Sequence, residues 1–258
     1  MKKQAYSLFA RYYDEYMAHV EYDSWVDFIL GRYTRRYKKS PGKVLELACG
    51  TGNIASRLVR RGFAVDGTDI SEAMLHIARV KPFAANFKQA NMLDPIKNDK
   101  YDLILLLFDS LNYLRQPEEI NILLENAGNA LTPEGMFIFD VSTIRNCRDN
   151  FDGFINIEDN KQGFVIHESE FEQGKLLQTN HITFFVPQGG LFQRYDEYHL
   201  QKIYPVKTII EFIESSCFKL LGVYRLAGEK SQKILPEEYG YADKIYDRVF
   251  FVLELENA

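Results

Sequence analysis

The chain has little cysteine, no excess of positive charge and no long apolar run, and each shortage removes a class of protein. Its three cysteines, Cys49, Cys147 and Cys217, are too few and too scattered for a disulfide framework or a zinc site, so no metal is expected. A formal net charge of -5 argues against a nucleic-acid partner, because phosphate binding draws most of its free energy from clustered cations. Arg57, Arg60 and Arg61 are one candidate for a local basic patch, and at helical spacing they read as solvated surface. The strongest apolar run, Leu103 to Phe108, is far shorter than the roughly 20 residues that span a bilayer. The opening Met1-Lys2-Lys3 leads into Tyr6, Phe9, Arg11 and Asp14, with no continuous apolar signal segment. A soluble, cytoplasmic protein without membrane partners is expected; whether it is a monomer or a homodimer is left open.

What is abundant is aromatic surface, with 19 Phe and 16 Tyr in 258 residues. Such side chains bury large areas, and Tyr adds a polar tip to a pocket wall. Residues 5–37 have a helical pattern in which Tyr6, Phe9, Tyr13 and Met17 recur, followed by Trp25, Phe28 and Ile29. Lys39-Ser40-Pro41-Gly42 breaks it, and a β–α alternation begins.

Val44 to Leu47 reads as a buried strand, followed by the turn Cys49-Gly50-Thr51-Gly52 and a helix ending in Arg60-Arg61-Gly62. Phe63 to Thr68 is a second strand, and Ser71 caps the next helix, which stops before Pro82. A weak strand around Phe87, a strongly apolar one from Tyr101 to Phe108, a helix opened by Pro117 and a strand from Met136 to Val141 complete the series. The period then changes to antiparallel strands at 163–172, 175–186 and 191–204. A helix around Ile209, Ile210 and Ile213 and strands at 219–225 and 248–255 close the chain.

These elements predict an α/β fold: a Rossmann-like, doubly wound, mostly parallel sheet with an antiparallel last strand. Residues 1–38 would form a helical cap, 39–150 and 205–258 the core, and 151–204 an antiparallel β insertion acting as a lid. Ligands of such sheets bind at the carboxyl ends of the central strands. That rim holds the turn at 48–52, Asp69, Asn91 and Phe108-Asp109.

Gly50-Thr51-Gly52-Asn53-Ile54-Ala55 satisfies the G-x-G-x-x-G/A pattern, with Asp69 near the position of a ribose-binding acid. Alone this leaves NAD and S-adenosylmethionine both open. Glu46 separates them by charge. A pyrophosphate over the turn would oppose that carboxylate, by about 3 kcal/mol for unit charges ~6 Å apart at an effective dielectric near 20. An ammonium and a sulfonium would suit it, so charge favours the methyl donor.

Val44-Leu45-Glu46-Leu47-Ala48-Cys49-Gly50-Thr51-Gly52-Asn53 resembles the first motif of class I S-adenosylmethionine-dependent methyltransferases. Val65 to Ser71 through Met74-Leu75 resembles their second. Tyr101 to Ile104 through Phe108-Asp109-Ser110-Leu111-Asn112-Tyr113-Leu114 resembles their fourth, and Leu131 to Gly135 the turn into the fifth strand. The likeness covers roughly residues 40–145.

It implies that Ala48, Gly50 and Gly52 approach the donor's methionine part and that Glu46 orients its ammonium. Asp69 would accept the ribose hydroxyls, Ile70 and Met74 flank the adenine, and Asn91 and Met92 meet its edge. Phe108 and Asp109 would lie beneath the sulfonium. Ala48 departs from the family's first Gly and Asn91 from its usual Asp, leaving an amide acceptor without charge assistance. Simpler roles compete: a salt bridge for Glu46, a helix cap for Asp69, a loop for Asn91 and core packing for Met74.

Methyl transfer needs an aligned nucleophile and the handling of one proton, with no covalent residue. The segment after the fourth strand lacks the Pro-Pro-Tyr or Pro-Cys of base methyltransferases and is similar to bacterial small-molecule methyltransferases. The expected activity is methyl transfer to N or O of a small molecule. In the last lid strand, Tyr195, Glu197, His199 and Gln201 share one face and Arg194 and Tyr198 the other. His199 is the candidate base with Glu197 orienting it, set against an ordinary strand histidine; His181 and His167 rank lower. Tyr13 is the candidate aromatic over donor or substrate, with Tyr6 and Tyr22 behind it. An NAD(P)-dependent oxidoreductase and a methyltransferase-like binding protein without turnover are the alternatives.

Overall fold

The computed structural model describes residues 2–3, 9–82, 85–96, 100–160, 163–228 and 230–256. In chain order the elements are β1 (Lys2–Lys3), α1 (Ala10–Tyr16), α2 (Tyr22–Tyr37), β2 (Lys43–Leu47), α3 (Asn53–Arg60), β3 (Ala64–Asp69), α4 (Glu72–Val80), β4 (Asn86–Gln89) and β5 (Tyr101–Leu106). Then come α5 (Pro117–Ala130), β6 (Leu131–Ser142), a short α6 (Ile144–Asn146), β7 (Phe154–Asn160), β8 (Gly163–Glu172), β9 (Leu177–Gln188) and β10 (Leu191–Lys202). The chain closes with α7 (Val206–Glu214), β11 (Phe218–Ala227), β12 (Lys230–Ile234) and β13 (Arg248–Leu255).

Eight strands form the main sheet in the order β12-β11-β13-β6-β5-β2-β3-β4. The five from β6 to β4 run parallel, and β13 is antiparallel to β6, as expected of the last strand. Strand β5 is buried on both faces, Leu103 through Leu106 being fully inaccessible. One core cluster packs α5 and α7 against one face of the sheet, and a second packs α2 and α3 against the other. The chain leaves β2 towards β3 on one side and reaches β5 on the other, so the topological switch lies at the carboxyl ends of β2 and β5.

The second sheet, ordered β1-β10-β9-β8-β7, is the antiparallel insertion joined by Lys2–Lys3, which pair in parallel with Asp196 and Glu197. Strand β7 is additional to the three anticipated strands. Its Ile155 and Ile157 are exposed on an edge, so its pattern lacks a buried face. Strand β12 is likewise additional, its sequence Lys-Ser-Gln-Lys-Ile being mostly polar and exposed.

The helical stretch expected over 5–37 consists of two helices, separated at 17–21. The two stripes have different partners. On α1, Tyr12 stacks on Phe184 of the second sheet at 5.3 Å, while Trp25 and Phe28 of α2 meet Phe250 of the main sheet. One straight helix cannot face both. Thus the anticipated 1–38 cap is shared, with α1 on the insertion and α2 on the core. Tyr6 lies outside the described residues.

Candidate functional site

At the switch point a cavity of about 330 Å³ opens between the glycine turn, the end of β3, the loop after β4 and the loop after β5. That size falls in the ordinary range for small-molecule pockets. Of the residues singled out in the sequence, Glu46, Ala48, Gly50, Asp69, Ile70, Met74, Asn91, Met92 and Phe108 line it. Gly52 and Asp109 do not. Gly52 sits at φ +72, and a Cβ there would come 2.6 Å from the Phe87 ring, so it lets α3 pack against β4.

Glu46 and Asp69 share this hollow. Glu46 is 3% exposed and its Oε2 accepts from the Ala55 N–H at 2.9 Å. Burial pushes its carboxyl up to about 8, against that hydrogen bond, with Asp69 adding to the rise. Lys81 lowers it only in part, so the buried acid prefers its proton; a cationic ligand close to it would reverse this.

Asp69 accepts from Gly50 N–H and Ser71 N–H, both at 2.8 Å. Burial raises its pKa against these bonds and one from Ile70. It therefore fixes the glycine turn to the end of β3. A carboxylate has about four lone-pair sites, so capacity for ligand hydroxyls remains.

Ala48 adopts φ 50, a left-handed conformation costing a non-glycine residue about 1–2 kcal/mol. The departure from glycine is thus accommodated at a conformational cost. Asn91 is exposed and its Oδ1 accepts from Leu93 N–H at 3.0 Å, while its own N–H donates to Asp94. One lone pair of that amide is already in use. Met74 is both core and wall, 1% exposed yet lining the cavity.

The residues that sequence reasoning missed hold α1 over the turn. Asp14 accepts from Thr51 Oγ1 at 2.6 Å and Asn53 Nδ2 at 2.9 Å, and pairs with Lys81 at 2.7 Å. Burial raises its pKa, but the Lys81, Thr51 and Asn53 bonds outweigh it and hold the carboxyl below its usual range. Asn53 also donates to the Tyr22 hydroxyl at 3.2 Å. The only sequence signal was Asp14 beside Tyr13.

A second cavity of about 560 Å³ lies beneath the second sheet. His167, Asn180, His199 and Gln201 of that sheet line it from above, and Asp109 and Arg248 from the main sheet's side. Tyr13, Phe108 and Tyr113 line both cavities and form the wall between them. Phe108 (φ 58) and Asp109 (φ 50) are consecutive left-handed residues, and their surroundings hold them there. Trp25 stacks on Phe108 at 4.2 Å. Asp109 takes bonds from Gln201 and from Arg248, and its N–H donates to Asp140 Oδ2 at 3.0 Å. Arg248 also bonds Asp140, whose carboxyl burial pushes up to about 6 against that cation.

Strand β10 turns His199 inward, 3% exposed, and Glu197, 0% exposed, beside it, while Arg194 and Tyr198 face out. His199 lines the second cavity; Glu197 lies behind it, accepting from Phe9 N–H at 3.2 Å. His167 also faces this cavity, between Tyr16 and Asn180, and burial lowers its pKa. His181 is on the outer face with Glu168 and Asp196. Among the described residues no cluster of His, Cys, Asp or Glu could hold a metal ion, and no helix is long and apolar enough to cross a membrane.

A Rossmann-like sheet with an acidic, glycine-lined hollow at its switch point has the form of a small-ligand site of the doubly wound α/β class. Residues 44–135 match a methyltransferase domain family. The putative methyltransferase YqeM of Bacillus subtilis is 32% identical over 219 residues, covering 83% of this chain and 87% of that protein. A crystal structure of an S-adenosylmethionine-dependent methyltransferase from Clostridium acetobutylicum superposes with a TM-score of 0.79 at 25% identity, over 97% of this chain and 98% of that one. The fold is shared by a sugar N-methyltransferase from Streptoalloteichus, with a TM-score of 0.75 at 16% identity, over 97% of this chain and 92% of the other. The chain belongs to the class I S-adenosylmethionine-dependent methyltransferases. Its cofactor is S-adenosylmethionine, and the oxidoreductase reading is set aside.

Proposed function

We propose that the protein transfers a methyl group to nitrogen or oxygen of a small molecule held in the second cavity. The observation that carries this is that Tyr13, Phe108 and Tyr113 line both hollows, which therefore lie side by side. The donor supplies a methyl carbon made electrophilic by its positive sulfur. In this reading Glu46 takes the ammonium, Asp69 the ribose, and Ile70, Met74, Asn91 and Met92 surround the adenine. Gly50 and Ala48 leave room for the methionine part, and Gly52 acts indirectly by seating α3. Phe108 borders the sulfonium, while Asp109 serves the acceptor side.

The acceptor is then enclosed by aromatic rings and by carboxamides. The second cavity's ionic floor pairs Arg248 with two carboxylates, Asp109 and Asp140, a balance that favours a neutral or basic acceptor over an acid. The likeness to a sugar N-methyltransferase points the same way. The test is release of the demethylated donor on a panel of small primary and secondary amines, amino sugars, alcohols and carboxylic acids, with RNA and unfolded protein alongside. Turnover of a small amine or alcohol is expected. Turnover confined to the macromolecules, or none at all, would overturn the reading.

A further inference from the structure

Tyr113 is the residue of the dividing wall that is joined by a hydrogen bond to the inward histidine of the lid. Its hydroxyl lies 3.0 Å from His199 Nδ1. The other ring nitrogen, Nε2, lies 3.8 Å from Glu197 Oε2, and Glu197 is anchored through Oε1 by Phe9 N–H. A carboxylate facing Nε2 favours the tautomer with its proton there. Nδ1 is then the acceptor, and the Tyr113 hydroxyl donates to it. Phe9 closes edge-on against the imidazole at 6.1 Å and Tyr113 at 6.2 Å.

We infer that Tyr113, rather than His199 itself, is the catalytic residue that takes the acceptor's proton, with His199 as the proton's destination and Glu197 as its positioning residue. The inference rests on the small-molecule reading above. The acceptor's lone pair forms the new bond to the methyl carbon, and the carbon–sulfur pair leaves on sulfur. The acceptor's proton passes to Tyr113 Oη as the phenol proton passes to His199 Nδ1. One positive charge thus disappears at sulfur and one appears on the imidazolium, beside the Glu197 carboxylate. The titratable groups facing His199 are Glu197 on its own strand, Tyr113 after β5 and His167 on β8. Burial favours the neutral form of His167, so Glu197 is the facing group suited to stabilise the imidazolium.

The test uses whichever panel acceptor the wild type methylates fastest, so loss of the broader reading shows first as absence of wild-type turnover. Tyr113→Phe keeps the ring and removes the relay. It is expected to lower kcat about 100-fold, the lower end of general acid–base contributions, and to abolish the acid limb of the pH–rate profile, with donor affinity changed less than about threefold. Glu197→Gln retains an acceptor for Phe9 N–H and is expected to shift that limb rather than remove it. Should Tyr113→Phe melt below the wild type, His199→Asn provides the same readout. Wild-type kcat with an unaltered acid limb in folded Tyr113→Phe or His199→Asn would overturn the inference.

Discussion

Asp69→Ala is expected to raise the dissociation constant for S-adenosylmethionine roughly 10- to 100-fold, measured by calorimetry. Two losses combine. The ribose hydroxyls lose a charged acceptor but regain water, a net loss on the scale of one such bond, about 1.5–3 kcal/mol. The Gly50 and Ser71 N–H groups also lose the carboxylate that holds the glycine turn against β3. Asp69→Asn keeps one amide oxygen as an acceptor but loses the charge, so it should fall between wild type and Ala. An unchanged affinity in Asp69→Ala would mean that the acid serves the turn alone.

Glu46 governs a second, pH-dependent effect. With a pKa near 8 in the ligand-free protein, most Glu46 side chains are protonated at pH 7, whereas a bound ammonium favours the carboxylate. Donor binding should therefore release a proton at pH 7 and tighten as the pH rises from 6 to 8, by up to tenfold per unit, then level off. Calorimetry in buffers of different ionisation enthalpy reads both. Glu46→Gln should lose the proton release and the slope, and bind about 100-fold more weakly at pH 8, where an attraction of about 3 kcal/mol is absent.

The stability of the ligand-free fold should move in the opposite sense. A carboxyl raised from 4.5 to about 8 by folding retains a proton that the unfolded chain gives up. Stability is full below 4.5, falls as pH rises through the window to 8, and is flat above it. The total is roughly 5 kcal/mol. Glu46→Gln, which can still accept from Ala55 N–H, should lack that decline in denaturant melts.

Much of the first cavity was legible because its lining is local in sequence. Glu46, Ala48 and Gly50 lie within one strand-turn segment, and Asp69, Ile70 and Met74 within the next. The β–α alternation carried the sheet, since β2 and β5 are mostly apolar runs of ordinary length, and β3, though more polar, sits between a Gly stop and the Ser71 cap. The second cavity and the hold of α1 on the glycine turn were harder because they are assembled from distant segments. Asp14 gains its role only when α1 folds over Thr51 and Asn53. Tyr113 and His199 are 86 residues apart, and only the docking of the second sheet brings them together.

The β10 alternation placed His199 and Glu197 inward correctly, but it gave no sign of what stood opposite. Asp140 and Arg248 were similarly invisible: each sits in an apolar strand, and their pairing depends on β13 lying beside β6. The break between α1 and α2 has no proline or glycine to mark it. It follows from two packing partners rather than from local propensity.

The most direct measurement is a crystal structure of the protein with the demethylated donor bound. The account predicts its amino acid end beside Glu46, its ribose on Asp69 and its sulfur at the wall of Tyr13, Phe108 and Tyr113, facing the second cavity. A ligand whose ribose lies away from Asp69, or whose sulfur points away from that wall, would contradict it.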